Sequence, residues 1–157
     1  MRDEAEKEYY YLESEIGRYD QICHSIKNWS ITISFALLAT GFTQQIPSLF
    51  LLASLAAALF WKTEARWKRI QRLHGVRINA LEKYLNGESE VYTGPQIARN
   101  ITVQFLQYGD NYLTRTRRIT RREFRVMTYA NVQLPHNVIF VFGIFMFLAT
   151  KFDILKL

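Results

Sequence analysis

The sequence predicts an all-α membrane protein: a long antiparallel transmembrane helical hairpin extending into a cytoplasmic coiled-coil stalk, plus a C-terminal third membrane segment. Three observations predict it. Residues 28–61 form an uninterrupted uncharged run between Lys27 and Lys62. Apolar positions at heptad spacing lead into that run and out of it. A second uncharged stretch begins after Arg125 and continues to Thr150.

The first run is too long for one buried soluble helix, for which about 10–14 apolar residues suffice, and it suits two short spans of a bilayer. Gln44, Gln45, Ile46 and Pro47 lie in its middle. Proline cannot continue a helix but fits the first turn of a new one, so the turn is expected there. Trp29 and Trp61 bracket the pair on one side, as an interfacial aromatic belt would.

Ahead of the run, Ala5, Tyr9, Leu12, Ile16, Tyr19, Cys23 and Ile26 are spaced by threes and fours. The phase extends through Ser30, Ile33 and Leu37 and predicts a single helix of roughly forty residues. Past Trp61, a second seam consists of Trp67, Ile70, His74, Ile78, Leu81 and Leu85, ended by Asn86 and Gly87. Residues 1–28 carry four basic and seven acidic side chains, whereas 62–85 carries seven basic and two acidic. Antiparallel pairing of the two helices is therefore electrostatically consistent.

Three segments follow from this pattern: 1–87 as the helical hairpin, 88–134 as a basic cytoplasmic segment, and 135–157 as the third membrane segment and tail. A short helix is expected from Gln96 to about Tyr108. The third membrane segment is expected from Pro135 to Thr150, longer if Val132 and Leu134 join it. Between Lys62 and Arg125 there are fourteen Lys and Arg, while the turn near Gln44 has no charge. The positive-inside rule then puts the N-terminus and residues 62–134 in the cytoplasm. No signal peptide is expected, because the first 27 residues are acidic and highly charged.

Candidate chemistry is sparse. The single cysteine, Cys23, cannot form an intrachain disulfide, and no metal-ligand spacing or phosphate-binding glycine loop occurs. Neither a metal nor a cofactor is expected. Arg69 and His74 match the Arg-x4-His pattern, which resembles the active-site motif of HEPN-family ribonucleases and makes them the candidate catalytic pair. The plainer reading makes His74 a seam residue and Arg69 a solvated or lipid-facing one. His24 is read as a surface histidine, and His136, beside Pro135, as a cap or headgroup contact. Arg115, Arg117, Arg118, Arg121, Arg122 and Arg125 stand just before an uncharged segment, which favours anionic lipid or a protein partner over nucleic acid.

Small and hydroxylated residues in the first two spans permit close helix approach. Ser30, Ser34 and Thr40 are the candidate pore-lining residues if several copies surround an axis. A short hairpin buries little by itself, so a homo-oligomer is expected.

From Ile26 through Lys27, Asn28, Trp29, Ser30, Ile31, Thr32, Ile33 and Ser34, across the short turn, to Phe60, Trp61 and the basic helix with Arg66, Arg69, Arg72, His74 and Leu81, the chain resembles small bacterial antiviral-defence membrane proteins. It is similar to SLATT-type two-helix effectors and to the small membrane accessory proteins of Cas13b-type CRISPR loci. The resemblance covers roughly residues 10–90 and implies an assembled pore or channel-like effector of the bacterial inner membrane, not an enzyme, with a cytoplasmic defence protein as a further partner. The alternatives are a membrane scaffold that recruits a cytoplasmic partner, and a membrane-tethered HEPN-like ribonuclease.

Overall fold

The computed structural model describes residues 1–89, 92–96, 124–152 and 154. Its described elements are helices: α1 (Arg2–Thr43), α2 (Ser48–Leu85), α3 (Ala130–Gln133) and α4 (His136–Lys151). Residues 124–127 are also helical. The expected short helix between Gln96 and Tyr108 falls, beyond Gln96 itself, outside the described residues.

The long first helix forms as its sequence dictates. Asp3 and Glu4 occupy its first turn, where negative charge complements the helix dipole, and Lys7 reaches back to Asp3 at 2.8 Å. The reversal falls at Gln44–Pro47, with Gln45 at φ 53° carrying the chain around. At the far end of α2, Gly87 takes φ 77°, and Glu88 N–H closes onto the Lys83 carbonyl at 2.8 Å. The stop signal read at Asn86 and Gly87 is thus the helix end. One helix, α2, is long and apolar enough to cross a membrane by length and composition; α4, with 16 residues, is a shorter apolar helix. The hydroxyls of α1 at Ser30, Thr32, Ser34, Thr40 and Thr43 lower its hydropathy.

The chain divides into two compact units, residues 1–22 with 67–123 and residues 23–66 with 124–157. In the first, α1 and α2 pack around Ala5, Leu12 and Leu81, flanked by Tyr9, Ile78, Tyr84, Leu85 and Tyr92. Tyr19 lies against Trp67 and His74, with ring centroids 5.7 and 5.3 Å away. The expected charge complementarity is realised in named pairs: Lys68 with Asp20, and Arg77 with Glu8 at 2.9 Å. Glu8 is almost fully buried. Both its oxygens accept from Arg77, and it also accepts from the Tyr92 hydroxyl at 3.1 Å and the Gln96 N–H at 3.0 Å. Arg77 in turn donates to the Gly94 carbonyl at 2.8 Å, so this ion pair ties residues 92–96 to the two helices.

In the second unit, Leu38, Phe50, Ala53 and Met146 form one cluster, and Ala65, Val126 and Val132 another. The seam expected through Ile33 and Leu37 is corrected here. Beyond Ser30 the buried positions are Ser34, Leu38 and Gly41; Leu37 is half-buried and packs against the Leu38 cluster, while Ile33 is exposed. A straight helix drifts about 20° per heptad against a strict seven-residue repeat. From Ala5 to Ser30 that accumulates to roughly 70°, most of the 100° between successive residues, so the buried face moves on by one. Val132 and Leu134 do not lengthen the third apolar segment, because Val132 belongs to α3 and Leu134 and Pro135 form the break before α4.

Candidate functional site

The second unit contains a buried chain of polar side chains drawn from four elements. Helix α1 supplies Lys27 and Ser30, α2 supplies Glu64, α3 supplies the Asn131 carbonyl, and α4 begins with His136. The His136 ring is fully buried between a hydroxyl and a carboxylate: Nδ1 is 2.8 Å from Ser30 Oγ and Nε2 is 2.9 Å from Glu64 Oε2. The other Glu64 oxygen lies 3.3 Å from Lys27 Nζ, an ion pair without an aligned hydrogen bond, and the lysine donates to Asn131 O. Lys27 is the member that reaches solvent, with its side chain 23% exposed.

Proton placement follows from what each group can do. An ionised carboxylate only accepts, so with Glu64 ionised beside Lys27 the imidazole carries its proton on Nε2 and donates it to Glu64. In a neutral ring Nδ1 is then a lone-pair acceptor and the Ser30 hydroxyl donates to it; in a cationic ring Nδ1–H donates to Ser30 Oγ. One turn further along α1, the Ser34 hydroxyl is buried on the same face with no hydrogen-bond partner. Ser54, also buried, donates to the Phe140 carbonyl at 3.0 Å and so ties α2 to α4. Past Ser34 the interior turns apolar, with Leu38, Phe50 and Met146 packed together.

The order hydroxyl, imidazole, carboxylate matches that of a hydrolytic triad. Ser30, however, is enclosed in mid-helix, where neighbouring backbone N–H groups belong to the helix ladder and are not aimed at a developing oxyanion. What the arrangement can do is hold or pass a proton.

Of the sequence candidates, Ser30 and Ser34 come together in this chain. Thr40 lies about 120° round the helix from Ser34, is exposed, and donates to its own helix at Ala36 O, 2.9 Å away. Arg69 and His74 are both buried in the first unit, about 140° apart around α2. His74 lies on Tyr19, with Nδ1 at 3.1 Å from the Ile70 carbonyl. His24 is exposed, as is Arg125; Arg115, Arg117, Arg118, Arg121 and Arg122 lie outside the described residues.

No family model, curated protein or solved structure matches this chain. Its chemistry therefore has to be read from the side chains themselves.

Sequence reading missed the roles of Glu64, Lys27 and His136. A signal was present. Glu64 stands seven residues after Ala57 and eleven after Ala53, so a carboxylate continues the small-residue face that α2 turns inward. His136 was visible only as an isolated residue, because its partners lie 72 and 106 positions away.

Proposed function

We propose that the protein is a multi-pass inner-membrane protein that assembles with copies of itself and depolarises the membrane. The observation that carries this reading is an inversion of polarity in the second unit. Ser30, Ser34, Ser54, Glu64 and His136 are buried, whereas Phe35 on α1, Leu51, Leu55 and Leu59 on α2, and Val141 and Phe145 on α4 are exposed. A protein folded in water seldom leaves so many large apolar side chains exposed while burying these polar ones, and the exposed apolar residues of α1, α2 and α4 call for lipid or a partner. In the proposed orientation the first two helices cross as a hairpin, α4 enters beside them, and Lys27, Glu64 and His136 sit at the cytoplasmic boundary.

A simple anchor would pack as well with leucines at these positions. Full burial of Glu64 and His136 among packed helices is expensive even at the membrane boundary, and buried ionisable groups beside a membrane segment usually mark ion or proton pathways, which favours conduction over scaffolding. The setting in antiviral defence rests on the resemblance and belongs to the same proposal. Because Ser30 and Ser34 are enclosed within one chain, a Ser34→Leu variant would overpack the bundle and reduce protein abundance, so its loss of function would not report a lumen.

Two measurements test the reading. A cysteine replacing exposed Gln45 should react with an impermeant thiol reagent in intact cells, and one replacing exposed Val76 should react only after the membrane is opened. The reverse pattern would overturn the topology. The purified full chain in liposomes should collapse an imposed potassium diffusion potential, read with a voltage-sensitive dye, and should have an oligomeric mass in detergent. A monomer that leaves the potential intact at every protein-to-lipid ratio replaces conduction with the scaffold reading.

A further inference from the structure

We infer that the buried chain Ser30, His136, Glu64, with Lys27 at its outer end, is the cytoplasmic part of a proton path, so that the species carried into the cell is the proton and not a hydrated metal ion or a small solute. This rests on the proposed membrane orientation and names the permeant of the same site.

The argument starts from connectivity. Ser30, His136 and Glu64 are linked at 2.8 and 2.9 Å, and all three are sealed from solvent. A hydrated ion needs a lumen and several oxygen ligands, whereas a proton needs only consecutive hydrogen bonds whose donors and acceptors can exchange. Ser34 supplies the second sign. A buried hydroxyl lacking any hydrogen-bond partner carries a cost of about 1–3 kcal/mol, and here it lies one turn beyond the end of the bonded line, where an entering water would bond to it.

With the ring neutral, inward transfer runs in these steps. A proton reaching the Ser30 oxygen from the deeper side forms a new O–H bond there, and the original hydroxyl proton passes to His136 Nδ1. The Nε2–H bond then breaks, its proton going to Glu64, which becomes a neutral acid. Glu64 is sealed, so the exit runs through the partly exposed Lys27, which gives one ammonium proton to cytoplasmic water and takes the Glu64 proton in its place. The ring is left as the Nδ1–H tautomer, and it resets when a water admitted with the apolar plug open takes the Nδ1 proton and returns one to Nε2. No electron moves, and one proton enters for each that leaves. The charged and titratable groups facing the ring are Glu64 from α2 and, through Glu64, Lys27 from α1; α3 contributes the Asn131 carbonyl to Lys27.

Leu38, Phe50 and Met146 close the line beyond Ser34. In this conformation they form an apolar plug of the kind that gates by excluding water. Conduction therefore requires the plug to open, which the assembled state or a trigger would supply.

The test uses full-length protein in liposomes carrying a pH-sensitive dye and carboxyfluorescein, with valinomycin and a potassium gradient setting an inward-driving potential. Wild type should acidify the lumen at least tenfold faster than empty vesicles and retain carboxyfluorescein. His136→Gln, whose amide can still bridge Ser30 and Glu64 but cannot relay a proton, should lose at least tenfold of that flux, and Ser30→Ala should do the same. Phe50→Ala should raise proton flux by thinning the plug. If His136→Gln does not insert, Ser30→Ala and Phe50→Ala decide. Proton flux that is unchanged in Ser30→Ala or His136→Gln overturns the inference, as does carboxyfluorescein release in step with proton entry, while either result leaves a conducting protein. Vesicles that keep both their potential and their pH overturn the functional reading as well.

Discussion

Replacing Glu8 by alanine is expected to destabilise the unit built from residues 1–22 and the C-terminal half of α2 by about 3–5 kcal/mol, the usual cost of stranding one partner of a buried ion pair. The Arg77 side chain is only 10% exposed and Glu8 1%, so water cannot take over the lost carboxylate. The Tyr92 hydroxyl and the Gln96 N–H lose their acceptor at the same stroke. Amide hydrogen exchange on the purified full chain should show protons of residues 5–20 and 70–85 exchanging roughly a hundredfold faster or more. A change below threefold would mean that the pair contributes nothing of consequence. Changing Glu8 to leucine and Arg77 to methionine together should recover part of the loss, because removing both charges costs much less than stranding one.

The same residue sets a pH dependence. Burial pushes the Glu8 carboxyl up, but the bonds from Arg77, the Gln96 N–H and Tyr92, with the charge of Arg77, outweigh it and hold the group below the usual glutamate value. A carboxyl lowered in the folded state stabilises fully at pH above its unfolded value, about 4.3, and that contribution fades as pH falls through the lower folded value. Protection of the amides of residues 5–20, taken relative to their free exchange rate at each pH, should thus fall on acidification below about pH 4.3 in wild type more than in Glu8→Gln.

Much of this architecture is written locally. The lengths of α1 and α2, the reversal at Gln44–Pro47, the stop at Asn86 and Gly87 and a third apolar helix near residue 136 each depend on neighbours within a few positions. The apolar seam was legible through Ser30 and then slipped, because a heptad template assumes supercoiling that a straight helix lacks. Glu8 illustrates a second limit. In sequence it is one acid among several in an acidic first stretch; its place three residues after Ala5 and four before Leu12 puts it on the buried face, unlike exposed Glu4 and Glu6, but names none of its partners. Its partners lie 69, 84 and 88 residues away. The proton line fails to show for the same reason: Ser30, Glu64 and His136 are individually ordinary, and only the packing of three helices makes them one object.

The sharpest test of that packing is a single substitution whose sign depends on where it is made. Gly17 in α1 and Gly75 in α2 have nothing within 4 Å of the position an added Cβ would take. Alanine there should stabilise its helix by about 0.5–1 kcal/mol, because glycine has more backbone freedom to lose. Gly143 in α4 is different. An added Cβ would lie 2.3 Å from Ser54 Oγ and 2.7 Å from the Phe50 carbonyl oxygen, and the second of these is backbone that cannot swing away. Ser54 is also the residue that ties α2 to α4 through the Phe140 carbonyl, so the methyl group would displace the hydrogen bond as well as the helix. Gly143→Ala should cost about 1–3 kcal/mol, and Gly143→Leu should separate α4 from α2 outright. Thermal unfolding in detergent of the three alanine variants reads the first comparison. For the second, the same measurement on Gly143→Leu should show a loss well beyond that of Gly143→Ala. If alanine at 143 is as well tolerated as at 17 and 75, the close contact of α2 with α4 is wrong, and with it the position of His136 between Glu64 and Ser30.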